Sequence, residues 1–125
     1  MDLTLLPETF AICRLASGEA LPTWAAGSAG LLSITRTAEE LSIVCEAAAA
    51  PEGITASRGW RCLRVAGPLD FALTGVLAAL AAPLAEAGVS IFAVSTYDTD
   101  YLLVREAQLE SALAALEQSG QSIAR

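Results

Sequence analysis

The chain has 125 residues, 54% of them hydrophobic, which is enough to bury a core in one compact domain or in two very small ones and excludes disorder as the main reading. Fourteen acidic residues against seven basic ones, all arginine, give a net charge of −7, which argues against nucleic acid as a partner. The three cysteines (Cys13, Cys45 and Cys62) form no C-x-x-C pair and histidine is absent, so neither a disulfide framework nor an ordinary zinc site is expected.

In chain order, residues 8–15 alternate as a first strand, with Phe10, Ile12 and Arg14 on one side and Ala11, Cys13 and Leu15 on the other. Residues 21–30 are too rich in Pro and Gly for a long helix, and the spacing predicts at most one helical turn from Pro22, with Trp24 as a lid over the core. Residues 31–36 and 41–46 predict a hairpin closed by Thr37-Ala-Glu-Glu40. Residues 47–50 offer one more helical turn, cut short by Pro51. A firmer strand covers 60–66, opposing Trp60, Cys62 and Arg64 to Arg61, Leu63 and Val65.

The break Gly67-Pro68-Leu69-Asp70 then opens a main helix with Asp70 as its N-cap and Leu73, Leu77, Leu80 and Leu84 as its apolar stripe, ending at Gly88. Pro83 is expected to disturb its last turn. Two alternating runs around the polar knot 95–100 predict a central hairpin over 90–105. Residues 108–119 form a second helix with Leu109, Ala112, Leu113 and Leu116 on one face and Gly120 as the stop, and 121–125 can add a short strand.

The order strand, connection, hairpin occurs twice. Arg14-Leu-Ala16 matches Arg64-Val-Ala66 at the end of the first strand, and Ser33-Ile34 matches Ser90-Ile91 at the opening of the hairpin. Residues 17–30 and 47–53 cannot supply two packed helices, so the first copy is expected to be degenerate. The expected division is 1–57 and 58–125.

The second copy reads β, α, β, β, α, β, the ferredoxin-like α+β arrangement with two helices on one face of an antiparallel sheet. On Gly67-Pro-Leu-Asp-Phe71, Ala87-Gly-Val-Ser-Ile91 and Val94-Ser-Thr-Tyr-Asp-Thr-Asp-Tyr101 the chain resembles the short bacterial tandem ACT-domain proteins. Those in turn are similar to the ACT repeats of the CASTOR arginine sensors and of aspartate kinases. The resemblance implies a non-catalytic regulatory module that binds an amino acid, pairs side by side as a homodimer, and holds its ligand at the loop after the first strand and at a neighbouring second strand. Carried onto this sequence, it points to Gly67 and Asp70 in the loop and to Ile91 and Ser95 on the strand.

Chemistry agrees with that placement without requiring it. Bare amides in the loop of Gly67 and Asp70 suit a carboxylate, and Gly67 permits close backbone approach. Ser95, Thr96 and Asp98, with Asp100, could receive an ammonium or guanidinium group. The plainer readings are a capped turn at Gly67-Pro-Leu-Asp70 and a solvated turn at Ser95–Asp100 whose side chains bond their own backbone. Without histidine or lysine, and without phosphate-loop or dinucleotide fingerprints, no enzyme, cofactor or metal is expected. Residues 71–84 are too short and interrupted to span a bilayer, and 1–11 lack the basic start of a signal peptide, so no membrane partner and a cytoplasmic location are expected. The alternative function is a structural or protein-interaction module that keeps the pairing surface and has lost the ligand.

Overall fold

The computed structural model describes residues 1–67, 69 and 75–125. They form two compact units, Met1–Pro7 with Arg61–Arg125, and Glu8–Trp60. Strand β1 (Asp2–Leu15) starts six residues before the alternation predicts and, like β4 (Thr55–Val65), contributes residues to both units.

In the unit Glu8–Trp60, β1 pairs antiparallel with β3 (Leu41–Glu46) from Phe10↔Glu46 to Leu15↔Leu41, and β3 pairs with β2 (Ser33–Arg36). Short 3₁₀ turns at Thr23–Gly27 and Ala47–Ala49 stand where helices would otherwise cover the sheet. The core is accordingly thin. Ala11, Cys13, Leu41, Ile43 and Cys45 meet Ala25 and Ala50, with Trp24 packed half-buried against them, so small side chains let single turns lie close to the strands.

The other unit carries helices α1 (Val76–Glu86) and α2 (Leu109–Gln118), strands β5 (Ile91–Ser95) and β6 (Asp100–Arg105), and β7 (Ser122–Ala124). Its strand order is β7, β1, β4, β6, β5. The β4-α1-β5-β6-α2-β7 sequence is the ferredoxin-like α+β pattern, with one modification: β7 pairs in parallel with Asp2–Thr4, which lies between it and β4. The hairpin registers Ile91 against Val104 and Ser95 against Asp100.

Leu63, Val65, Leu102 and Val104 from the strands pack against Leu80, Leu84, Leu109, Ala112, Leu113 and Leu116 from the helices. The predicted stripe of α1 is half met: Leu80 and Leu84 are buried, whereas Leu77 is 37% exposed and Leu73 lies outside the described residues. Pro83 sits inside α1, and the helix continues past it to Glu86. Both helices stop at glycines of positive φ, Gly88 and Gly120, followed by amides of Val89 and Gln121 that donate to Leu84 and Leu116 five residues back. Among the described residues no helix is long and apolar enough to cross a membrane, and no group of three or more Cys, Asp or Glu side chains could hold a metal ion.

All three cysteines are buried, and none is in a disulfide. Burial pushes the Cys13 thiol up, and it pushes the Cys45 thiol up to about 12, where the hydrogen bond to Cys13 holds its proton further. Protonated, enclosed thiols are poor nucleophiles. Native protein at pH 8 is therefore expected to be silent to a thiol-reactive chromophore, all three cysteines reacting only after unfolding; a fast-reacting thiol in the folded state would contradict this packing. Leu102→Ala removes a side chain with no exposure from the larger core. Its expected cost is about 2–5 kcal/mol by urea unfolding, against less than about 0.5 kcal/mol for the exposed Leu21→Ala.

Candidate functional site

At the end of β4 the chain leaves the sheet against the turn joining β5 to β6. Thr99 is buried and donates from Oγ1 to the Val65 carbonyl at 2.7 Å. One residue earlier, the Asp98 carbonyl accepts from the Leu69 amide at 2.6 Å. Gly67 lies between these two ties. A Cβ built on it would stand 3.0 Å from both the Asp98 carbonyl oxygen and Thr99 Cβ, so any other residue here would press on the turn, and glycine lets the loop approach this closely without that. The reason is proximity alone, since Gly67 is absent from the glycines of positive φ. The Ala66 amide is held as well, donating to the Asp2 carbonyl at 2.8 Å.

These ties leave an open cleft of about 290 Å³ lined by Arg64, Val65, Ala66, Gly67, Asp98, Thr99 and Tyr101. Its volume is at the lower limit for small-molecule sites and suits a ligand of a few heavy atoms. Arg64 and Asp98 are both exposed, so opposite charges stand on one lining. Among the described residues no hydrogen bond or ion pair engages the Arg64 guanidinium.

Of the residues singled out from sequence, Gly67 and Asp98 line the cleft. Asp70 lies outside the described residues. Ile91 is half-buried and packs against the hydrophobic core opposite Val104. Ser95 donates from Oγ to Asp100 Oδ1 at 2.6 Å. Thr96 closes the turn on itself, its amide and Oγ1 donating to the Thr99 carbonyl at 2.9 and 3.0 Å while Oγ1 accepts from the Thr99 amide at 3.3 Å. Ile91, Ser95 and Thr96 are not among the lining residues; Arg64, Thr99 and Tyr101 are, and sequence reasoning gave them no role there. No local signal marks Arg64, which stands three residues before Gly67 near the end of β4.

A family model described as an ACT domain matches residues 55–118. The chain belongs to the ACT-domain family. A second model, describing an amino-terminal domain, matches residues 8–53. A crystal structure of an Agobacterium tumefaciens protein superposes with a TM-score of 0.92 at 41% identity, covering 98% of this chain and 91% of that one. The human cytosolic arginine sensor for mTORC1 subunit 1 is 36% identical over 74 residues, 57% of this chain and 22% of that protein. The chain thus spans about a fifth of the curated relatives it matches. The regulatory subunit of aspartate kinase from Thermus thermophilus shares the fold, with a TM-score of 0.67 at 13% identity over 96% of this chain and 98% of that one.

In this ACT domain the glycine and the buried threonine set the width of the cleft. Thr99→Val keeps the shape and removes the hydroxyl, leaving the Val65 carbonyl without its donor. The expected loss is about 1–3 kcal/mol by chemical denaturation, with Thr99→Ser close to wild type. Gly67→Ala is expected to cost about 1–3 kcal/mol, because the clashing neighbour is backbone and cannot swing aside. A Gly67→Ala protein as stable as wild type would show that the approach is looser than described.

Proposed function

We propose that the chain is a non-catalytic regulatory ACT module that takes a free amino acid in the cleft beside Gly67. The observation that carries this is the pairing, on one small open lining, of close backbone at Gly67 with an accessible carboxylate on Asp98 and an accessible cation on Arg64. A zwitterion needs such a pair of opposite charges, and it needs little volume. Asp70 remains part of the proposed loop, and Ser95 and Thr96 support the site by shaping the turn that presents Asp98. Ile91 supports it from the core side of β5.

Non-catalytic action fits a chain without histidine or lysine whose three thiols are buried, with burial pushing those of Cys13 and Cys45 up. The reading includes a cytoplasmic location and pairing of two copies. Among the described strands β5 ends the hydrogen-bonding order, and an unpaired strand edge is a natural place for a second chain. One observation favours the alternative, a structural or protein-interaction module: the hydroxyls of Ser95 and Thr96 are already bonded within their own turn.

A thermal-shift screen against the twenty L-amino acids separates the two. Ligand at a hundred times its dissociation constant is expected to stabilise the folded protein by about 2.7 kcal/mol. That shift should disappear in Asp98→Asn. A flat response to all twenty at millimolar concentration would leave the interaction module as the better reading.

A further inference from the structure

The two hairpin turns are built alike. Arg36↔Leu41 and Ser95↔Asp100 flank turns of equal length. In each, the opening threonine donates its amide to the carbonyl of the closing residue at 2.9 Å, Thr37 to Glu40 and Thr96 to Thr99. In each, the closing amide donates back to the threonine Oγ1. Glu39 therefore corresponds to Asp98. The strands that end beside the turns also correspond, Arg14-Leu-Ala-Ser17 to Arg64-Val-Ala-Gly67.

What differs is who occupies the turn carbonyl. In the first copy the Arg14 guanidinium donates to the Glu39 carbonyl at 3.0 Å. Ser17 Oγ donates to the Thr37 carbonyl at 2.6 Å, and Arg36 reaches back to the Ser17 carbonyl. Three side chains thus cross the place where the second copy has its cleft. In the second copy the Leu69 amide takes the Asp98 carbonyl, Gly67 has no side chain to reach the turn, and Ser95 replaces Arg36. The equivalent of Arg14 is then Arg64, which lines the cleft with no tie among the described residues.

We propose that Arg64 is the residue that receives the ligand's carboxylate, and that the first copy is a self-closed counterpart in which Arg14 spends the same cation on its own turn, so that each chain binds one ligand. This rests on the cleft beside Gly67 being an amino-acid site. The physical case is a guanidinium fork whose donors have no partner among the described residues, and which matches a carboxylate in geometry and charge. Arg14 already donates from Nη2 to a carbonyl.

Isothermal titration of the full chain with each of the twenty L-amino acids, and with the amide of each one that binds, tests the role of Arg64, and melting of the ligand-free variants tests the closure. The expected result is one ligand per chain, at least about tenfold weaker binding in Arg64→Gln, intermediate binding in Arg64→Lys, and weak binding of the amide, which lacks the carboxylate. Arg14→Gln should bind as wild type yet lower the ligand-free melting temperature by about 4 °C, while Arg64→Gln leaves it unchanged. Binding that Arg64→Gln retains, or two ligands per chain, overturns this assignment and leaves the cleft standing. A ligand-free melting temperature lowered as much by Arg64→Gln as by Arg14→Gln makes Arg64 structural and also overturns it. If no amino acid binds wild type, the cleft reading falls and takes the assignment with it.

Discussion

The close approach of the chain at Gly67 to the backbone of Asp98 is the constraint from which the rest of the carboxy-terminal unit follows. A β4 strand that ran on, or a loop that swung wide, would leave the Thr99 hydroxyl buried without an acceptor and the Asp98 carbonyl without the Leu69 amide. Each made hydrogen bond contributes only about 1 kcal/mol net, but a buried polar group left unmade costs up to about 3 kcal/mol. That asymmetry fixes the loop more firmly than the strength of either bond suggests. The same fixation decides where β4 stops, which side chains face the opening, and how wide the opening is.

Much of this fold was legible because burial here follows period. Leu63 and Val65 are buried on either side of the exposed Arg64, and Leu109, Ala112, Leu113 and Leu116 recur at helical spacing; all six of these apolar residues are buried. Legibility failed where a partner rather than a pattern makes the element. Residues 2–7 carry Asp2, Thr4 and Pro7 and show no clean alternation, yet Asp2–Thr4 is a strand because Ser122–Ala124 pairs with it. Leu77 satisfied the arithmetic of a stripe and still faces solvent, since the helix presents Leu80 and Leu84 to the sheet.

The site divides in the same way. Gly67 and Asp98 could be found from sequence, since a glycine at a strand end and an acid in a hairpin turn carry local signals. Arg64 could not. In sequence it sits near Arg58 and Arg61, and nothing local tells the three apart. The structure gives the three separate duties. Arg58 donates to the carbonyls of Ala47, Ala50 and Pro51, and Arg61 to that of Leu6, whereas Arg64 borders the cleft. An arginine's use depends on which acceptors others have already taken, and that is a property of the folded chain.

The duplication carries this logic one step further. Two copies of one turn need not diverge in fold to diverge in use; a change in a few side chains beside an unchanged hydrogen-bond pattern suffices. Serine for glycine at position 17 gives the loop a hydroxyl that reaches its turn, and arginine for serine at position 36 supplies a second strap. With single 3₁₀ turns in place of helices, the unit Glu8–Trp60 has few large side chains over its sheet. Straps across the turn then replace, at the sheet's end, some of the order that packed helices supply elsewhere. The unit that keeps its helices can leave a cation without a partner among the described residues. A thin core and a closed turn belong together by this argument, as do a full core and an open one.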